Sequence, residues 1–270
     1  MEFTEKEKEL INIQSEWERN MFFKQTEEEQ KRLLASYAYN REVLRAETFA
    51  NWNTCGAVQS VRNKTGFEHF ISKAQKQNNL KAICEETATT IINGGSKNMI
   101  LIGKAGVGKT FFSLSTLKKV VTTEKPRLYI TKEIGVGKYG TPEYHTKTAK
   151  EWVGVKMFHT GLFVKATDMV DDLTSFGKVN KALMDRYAKP EILVIDEVGR
   201  NTMTQKAEQS ILFRLIDARN DAHLSTIITS NLTSEDLEAF LGEATFSRLS
   251  SNCVICDLND LPDMRANYNN

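Results

Sequence analysis

The chain has 270 residues, a mass of 30.6 kDa and a formal net charge of +1. Its 40% hydrophobic content is enough to form the core of one large domain with a small appendage, and the presence of only four prolines argues against a disordered chain. The near-neutral net charge excludes a general affinity for polyanions. The charged start MEFTEKEKEL is no secretory signal, no apolar run is long enough to cross a membrane, and the four cysteines fit a reduced compartment, so we expect a cytoplasmic protein without a membrane partner.

Residues 1–46 are rich in charge and are predicted to be an all-helical N-terminal domain. Thr4 with Glu7, and Thr26 with Glu29, have the spacing of capping boxes that begin helices. One apolar stripe at helical spacing follows each start: Leu10, Ile13, Trp17 and Met21, then Leu33, Leu34, Tyr37 and Leu44. The pattern fits a bundle packed on the main domain and, equally, a docking arm that contacts helices of another protein.

Residues 47–66 lose this periodicity and are predicted to be a linker, after which residues 67–270 form the main domain. A helix over residues 67–92 ends at a glycine pair, and strands alternate with helices from there on. The predicted strands contain Asn98–Ile102, Leu162–Val164, Ile192–Ile195 and Thr226–Ile228, and helices are expected at Phe111–Val121 and Ala207–Asn220. This alternation predicts an α/β fold whose central parallel sheet is flanked by helices.

The segment GKAGVGKT has the pattern G-x-x-x-x-G-K-[ST] of a phosphate-binding loop between a buried strand and a helix. The glycines let backbone N–H groups close around phosphates, the lysine meets the outer oxygens, and the final hydroxyl holds Mg²⁺. ATP with Mg²⁺ is therefore the predicted cofactor. The predicted nucleotide-binding residues are Gly103, Lys104, Ala105, Gly106, Val107, Gly108, Lys109, Thr110 and Phe111.

A second copy of the tetrapeptide GVGK occurs in IGVGKYG, residues 134–140. Lys132 stands where the first glycine of the pattern should be, and Tyr139 replaces the hydroxyl ligand. No strand and helix frame this copy, so a glycine-rich turn is predicted instead of a second phosphate site.

Acidic and amide side chains follow two of the predicted strands. In EILVIDE, Asp196 emerges at the carboxyl end of a strand, where it can hold Mg²⁺ opposite Thr110, and Glu197 can polarise the attacking water as a general base. In LSTIITSN, Asn231 would lie beside Asp196 and orient the water if the two strands are neighbours. Further on, Arg248 could stabilise the charge on a neighbouring subunit's γ-phosphate or form an ordinary surface salt bridge.

The residues from about 125 to 160 are an unusually long insertion after the first helix of the phosphate-binding unit. Between Lys125 and Lys156, seven Lys or Arg stand against three Glu, which leaves a local charge of +4. Four aromatic residues are interleaved: Tyr129, Tyr139, Tyr144 and Trp152. Such a segment could be a hairpin that contacts single-stranded DNA or a protein partner, or a solvated hairpin whose rings cover the domain.

The pair Cys253 and Cys256 lies in a predicted strand, on which residues three apart point to opposite faces. No second pair is present to complete a zinc site. We expect both cysteines to be buried structural residues.

Three motifs in this order, GKAGVGKT, ILVIDEVG and IITSNLTSEDLEAFLGEATFSRL, resemble the bacterial replicative helicase loaders of the DnaC/DnaI type, which are AAA+ P-loop NTPases related to IstB-like ATPases. The resemblance covers residues 48–265. It implies that Asn231 is sensor I, that Arg248 is an arginine finger acting in trans, and that Arg265 resembles sensor II. Two departures are Ser247, in place of an acid before the finger, and Ala105, in place of a frequent proline.

The resemblance implies an ATPase, weak without its partners, that loads a hexameric DnaB-type helicase onto single-stranded DNA during replication initiation. It further implies that residues 1–46 grip the helicase, that the ATPase domains associate with one another, and, given the departures, an origin in a bacteriophage or mobile element. The alternatives are an IstB-like transposition helper that acts with a transposase on duplex DNA, a small-molecule kinase, and a nucleotide-switched adaptor that hydrolyses little ATP.

Overall fold

A computed structural model describes residues 3–12, 16–72, 74–123, 130–136, 142–151, 158–174, 181–200 and 205–264. The chain divides into two compact units, residues 1–50 and residues 51–270. No helix in the described ranges is long and apolar enough to span a membrane.

The first unit is helical, as predicted. Its helices are α1 (Glu5–Asn12), α2 (Glu16–Phe22) and the beginning of α3 (Glu27–Asn53). Both capping boxes are present, because the Thr4 hydroxyl accepts from the backbone N–H of Glu7 at 3.3 Å and the Thr26 hydroxyl accepts from that of Glu29 at 3.4 Å.

The apolar contacts of this unit differ from the predicted stripe. The buried cluster consists of Ile11, Phe22 and Leu34, whereas Met21 is exposed. Predicted Leu10 is buried, and predicted Leu33 and Tyr37 pack against this cluster, while the residues between α1 and α2 lie outside the described residues. Ile13 lies outside the described residues, as does the side chain of Trp17.

The second unit contains the remaining helices and all the strands. Its elements in chain order are α4 (Gln59–Arg62), a 3₁₀ turn (Phe67–His69), α5 (Gln75–Ile92), β1 (Asn98–Ile102), α6 (Lys109–Val121), β2 (Ile130–Val136), β3 (Pro142–Glu151), β4 (Gly161–Lys165), α7 (Ala166–Thr174), α8 (Lys181–Ala188), β5 (Ile192–Val198), α9 (Gln205–Asp221), β6 (Ser225–Ser230), α10 (Ser234–Leu241), α11 (Glu243–Ser250) and β7 (Cys253–Asp257).

Five of these strands form a parallel sheet in the order β4-β5-β6-β1-β7, which confirms the predicted fold class. The sheet is covered on both faces. Met99 and Leu101 of β1 join α5 and α6 in one apolar cluster, whereas Ile100 and Ile102 join α7, α9 and α10 in the other. Because successive side chains of a strand point to opposite faces, the continuous run NMILI supplies both clusters.

The two cysteines of β7 follow the same alternation. Cys253 packs with the cluster that contains α9, and Cys256 packs with the cluster that contains α5. Burial raises the pKa of the two thiols to about 12 and about 11. The two cysteines are partly buried on opposite faces of the strand, as the alternation predicted, and the described ranges contain no group of three or more His, Cys, Asp or Glu residues that could hold a metal ion.

The predicted linker, residues 47–66, contains residues that pack in the second unit from Asn51 onward. Helix α3 continues to Asn53, and Trp52 and Cys55 are buried in the core of the second unit. The Asn51 amide donates to the Val121 carbonyl at 2.6 Å, and the backbone N–H of Phe163 donates to the Cys55 carbonyl at 2.6 Å. Large apolar residues without helical spacing, such as Trp52, therefore contribute to the core of the second unit.

The helix predicted over residues 67–92 begins later than expected. Phe67 lies in the 3₁₀ turn and is buried, and α5 begins only at Gln75. The other predicted elements of the sheet agree with the structure within a few residues at each end.

The insertion between α6 and β4 contains an antiparallel pair of strands, β2 and β3, paired from Ile130 opposite Glu151 to Val136 opposite Pro142, with an irregularity between Thr131 and Glu133. The antiparallel pairing agrees with the predicted hairpin. Ile134–Val136 of the second GVGK copy belong to β2, while residues 137–141 lie outside the described residues. The next described element after β2 is β3, whereas the first copy leads directly into α6.

Candidate nucleotide-binding site

The first GVGK copy lies in a loop between β1 and α6, at the carboxyl edge of the sheet. Gly103, Gly106 and Gly108 all have positive φ angles, of 151°, 88° and 98°. A Cβ on Gly108 would lie 2.6 Å from the Met264 sulfur, and one on Gly106 would collide with the Asp263 carboxylate. Glycine is therefore needed for the backbone conformation as well as for space. The backbone N–H groups at the beginning of α6 form the type of anion site found at helix N-termini.

Lys109, the first residue of α6, is buried within this loop. Its ammonium group donates to the Gly103 carbonyl at 2.5 Å, to the Lys104 carbonyl at 2.8 Å and to the Asn231 side-chain oxygen at 2.7 Å. Asn231 follows β6, the neighbour of β1 and of β5, as the strand prediction required. The amide that was predicted to orient a water thus contacts the lysine that was predicted to meet phosphate.

Asp196 and Thr110 are also in contact. The Thr110 hydroxyl lies 3.0 Å and 3.1 Å from the two oxygens of Asp196, and the Thr229 hydroxyl donates to Oδ1 at 2.6 Å. Asp196 is only 3% exposed, and this burial raises the pKa of its carboxyl against the opposing effect of the two hydroxyl donors. Adjacent hydroxyl and carboxylate oxygens fit Mg²⁺, which prefers oxygen ligands.

Glu197 is held in an unusual backbone conformation. Its φ of 62° is in the left-handed region, and residues 196 and 197 of β5 lie opposite the single residue Thr229 of β6, which forms a bulge. The Glu197 backbone N–H donates to the Thr229 hydroxyl at 3.0 Å, and the Arg200 guanidinium lies 2.5 Å from the Glu197 carboxylate. Two consecutive acids are thereby oriented differently at the same edge of the sheet.

The bulge also shows what sequence reasoning missed. Thr229 connects Asp196 to the Glu197 backbone, but a threonine in a strand is ordinarily counted as a β-former. The only signal was its position two residues before Asn231. Arg200 gave no signal either, because its contact with Glu197 depends on the turn after β5.

The segment after β7 was not predicted to contact the phosphate-binding loop. The backbone N–H of Leu258 donates to the Ile102 carbonyl and that of Met264 to the Gly106 carbonyl, both at 2.8 Å, while the Asn259 side chain accepts from the Lys104 N–H at 3.1 Å. The residue that follows this segment, Arg265, lies outside the described residues.

Arg248 lies on α11. Its Nε is 2.6 Å from an Asp217 oxygen, and its guanidinium carbon is 5.8 Å from the centre of the Phe213 ring. The side chain therefore forms a salt bridge within this chain, one of the two alternatives that the sequence left open.

The parallel sheet, the loop conformation and the polar side chains at the carboxyl edge define a P-loop nucleotide-binding protein with the AAA+ arrangement. The chain belongs to the family of IstB-like ATP-binding proteins, which it matches over residues 114–257, just over half of its length. The match begins four residues after the end of the P-loop. Membership of this family supports ATP binding by the chain.

Among curated proteins, the chain is 25% identical over 179 residues to the replicative helicase loader DnaC of Buchnera aphidicola, which covers 58% of this chain and 71% of that protein. It is 26% identical over 122 residues to the uncharacterised protein YdaV of Escherichia coli K12, covering 43% of this chain and only about half, 48%, of YdaV. The crystal structure of the DnaC helicase loader superimposes with a TM-score of 0.53 at 20% identity, covering 74% of this chain and 99% of that one. This last likeness concerns the fold alone.

Proposed function

We propose that the chain hydrolyses ATP at the P-loop. The observation that carries this proposal is the polar network at the carboxyl edge of the sheet, in which α6, β5 and β6 bring Lys109, Thr110, Asp196 and Asn231 together. Residues 103–111 bind the phosphates, and Thr110 and Asp196 hold Mg²⁺, which supplies charge neutralisation when it is bound. Glu197 accepts a proton from water, and Asn231 orients that water.

Replacement of Glu197 by Gln tests this assignment. The variant keeps the size of the side chain but removes its basicity, so it should bind ATP normally while turnover falls by about 10²–10⁴-fold. Binding is measured by calorimetry and turnover by phosphate release. Unchanged turnover in the variant would show that Glu197 is not the general base. Equally low turnover in the wild type and the variant, with normal ATP binding, would favour a nucleotide-switched adaptor.

We propose further that the protein loads a hexameric replicative helicase onto single-stranded DNA in the cytoplasm, with residues 1–46 as the docking arm and residues 67–270 as the ATPase domain. The similarity to DnaC of Buchnera supports this proposal because it extends over 71% of that loader. The first unit also presents apolar surface: Phe23 is 58% exposed, and Met21 is exposed next to it. Mixing the protein with the host replicative helicase and sizing the complex tests the proposal.

The insertion is the candidate contact for single-stranded DNA, which we propose from its charge of +4 and its hairpin backbone. Charge reversal of Lys138, Lys147 and Lys150 should flatten the dependence of log affinity on log salt by about 2, since each phosphate contact contributes about 0.7 for a single strand. Reversal of three exposed lysines elsewhere, Lys31, Lys64 and Lys206, is the matched control. Equal slopes in both triple variants would exclude a DNA contact through these lysines.

Arg248 is proposed as the arginine finger of a neighbouring subunit, so the ATPase domains would associate in a ring or spiral on the helicase. A guanidinium supplied in trans raises the turnover rate of P-loop enzymes by about 10³–10⁵-fold, so ATP hydrolysis by the isolated chain should be slow.

The family match favours one alternative, a helper ATPase in transposition. Its partners would be a transposase and duplex DNA. Stimulation of turnover by duplex DNA but not by single strands, together with no complex with the helicase, would favour this alternative over the loader.

A further inference from the structure

Arg248 is held at three points, although it lies on the surface. Its Nε is 2.6 Å from Oδ1 of Asp217, its Nη1 donates to the Ala244 carbonyl at 3.2 Å, and its guanidinium carbon lies over the Phe213 ring, 5.8 Å from the ring centre. The side chain is 38% exposed, so part of the guanidinium remains accessible to solvent.

The two side chains that hold Arg248 belong to one rigid support. Phe213 and Asp217 are four residues apart on α9 and therefore share a face of that helix. Helix α9 is fixed by its buried Leu212 and Ile216, and α11 is fixed by its buried Leu249. A long, flexible arginine is thereby confined to one orientation between two packed helices.

We propose that Asp217 is the positioning residue for Arg248: it fixes the guanidinium so that its exposed part is presented to the nucleotide of a second copy of this chain. The inference rests on the proposed trans role of Arg248. Asp217 contacts Nε while 38% of the Arg248 side chain stays exposed, so the carboxylate can orient the group without covering it. Phe213 adds a cation–π contact at 5.8 Å from the ring centre.

The test is a double-mutant cycle on the full-length chain bound to the replicative helicase, with saturating Mg²⁺ and ATP, measured over a range of protein concentrations. Asp217→Asn keeps the shape of the side chain but loses its charge, and we expect turnover per chain to fall on the order of tenfold, because small displacements of a positioned group cost one to two orders of magnitude. The KM for ATP should stay within about twofold, since the chain's own P-loop is unchanged. Asp221→Asn, the same charge change at an exposed position of α9, is the control and should leave turnover unchanged.

The cycle separates positioning from a general structural role. In the Arg248→Ala background, Asp217→Asn should have no further effect, and Asp217→Glu should restore part of the activity in the otherwise native chain. Full activity of Asp217→Asn, or an undiminished loss in the Arg248→Ala background, would overturn the inference while leaving the proposed function intact. Full activity of Arg248→Ala itself would instead refute the finger assignment, and the inference with it.

Discussion

Asp196, Glu197 and Thr229 form a small polar network in which each residue constrains the others. Thr229 donates to the Asp196 carboxylate and accepts from the Glu197 backbone N–H. The two acids followed from a local pattern, an apolar run that ends in DE. Thr229 could not be predicted, since its role arises only from the bulge between β5 and β6.

Replacement of Thr229 by Val should therefore weaken both stability and turnover. The variant leaves the Glu197 N–H without its acceptor and Asp196 with one donor fewer, and a buried unsatisfied group costs about 1–3 kcal/mol. Urea unfolding and phosphate release measure the two effects. Thr229→Ser keeps the hydroxyl and should stay close to the wild type; a Val variant as stable and active as the wild type would exclude this role of the hydroxyl.

Asp196 should make stability depend on pH. Burial raises the pKa of its carboxyl in the folded state, so the folded protein holds this proton more tightly than the unfolded chain does. The wild type therefore loses stability as pH rises from the unfolded value of about 3.9 through the raised pKa.

The variant Asp196→Asn lacks this titration. Without nucleotide, its advantage in urea midpoint over the wild type should be larger at pH 8 than at pH 4.5, because the hydroxyls of Thr110 and Thr229 can accept from the amide instead. An advantage that shrinks with rising pH would contradict the assigned direction of the shift.

At the scale of elements, the strands were predictable because each is a short, continuous apolar run that supplies both faces of a buried sheet. The packing of the segment from Asn51 to Phe67 was not predictable, because its contacts with Val121 and Phe163 join residues distant in sequence. The same limit applies to Arg219 of α9, which follows the buried Leu215 and Ile216 at helical spacing but whose charge would place it on the surface.

Arg219 is fully buried and connects α8, the residues before β5 and the start of β6. Its guanidinium donates to the carbonyls of Tyr187, Ala188, Pro190 and Ser225 and to the Thr226 hydroxyl. Burial lowers its pKa to about 9, so it remains charged at neutral pH.

Arg219→Lys should lower the free energy of unfolding by about 3 kcal/mol, since an ammonium group cannot reach carbonyls on both sides of the guanidinium plane. Arg214→Lys, exposed on the same helix, should stay within about 0.5 kcal/mol. Chemical denaturation compares the two. Equal midpoints would show that the buried contacts of Arg219 contribute little.

At the scale of the whole molecule, an N-terminal helical unit is followed by an ATP-binding unit of the IstB-like family. The capping boxes predicted the helical unit, and the motif GKAGVGKT with the alternation of strands and helices predicted the ATP-binding unit. The apolar surface of the first unit was predicted less well, since Phe23 is exposed and is not part of the predicted stripe.

Phe23→Ala should weaken binding to the replicative helicase by at least about tenfold, as expected for an aromatic anchor of an interface. Its exposed neighbour provides the control, Lys24→Ala, which should bind normally. Size-exclusion chromatography with light scattering measures complex formation, and circular dichroism verifies that the helices remain folded. Equal binding by both variants would place the docking surface elsewhere.

Calorimetric titration of the wild type, Lys109→Ala and Asp196→Asn with ATP, with and without Mg²⁺, tests most directly whether the loop after β1 binds the triphosphate. We expect about one ATP per wild-type chain with Mg²⁺-dependent affinity, no binding by Lys109→Ala, and Mg²⁺-independent, weaker binding by Asp196→Asn. Equal affinity of all three proteins would contradict the account, because the nucleotide would then be bound elsewhere or by other groups.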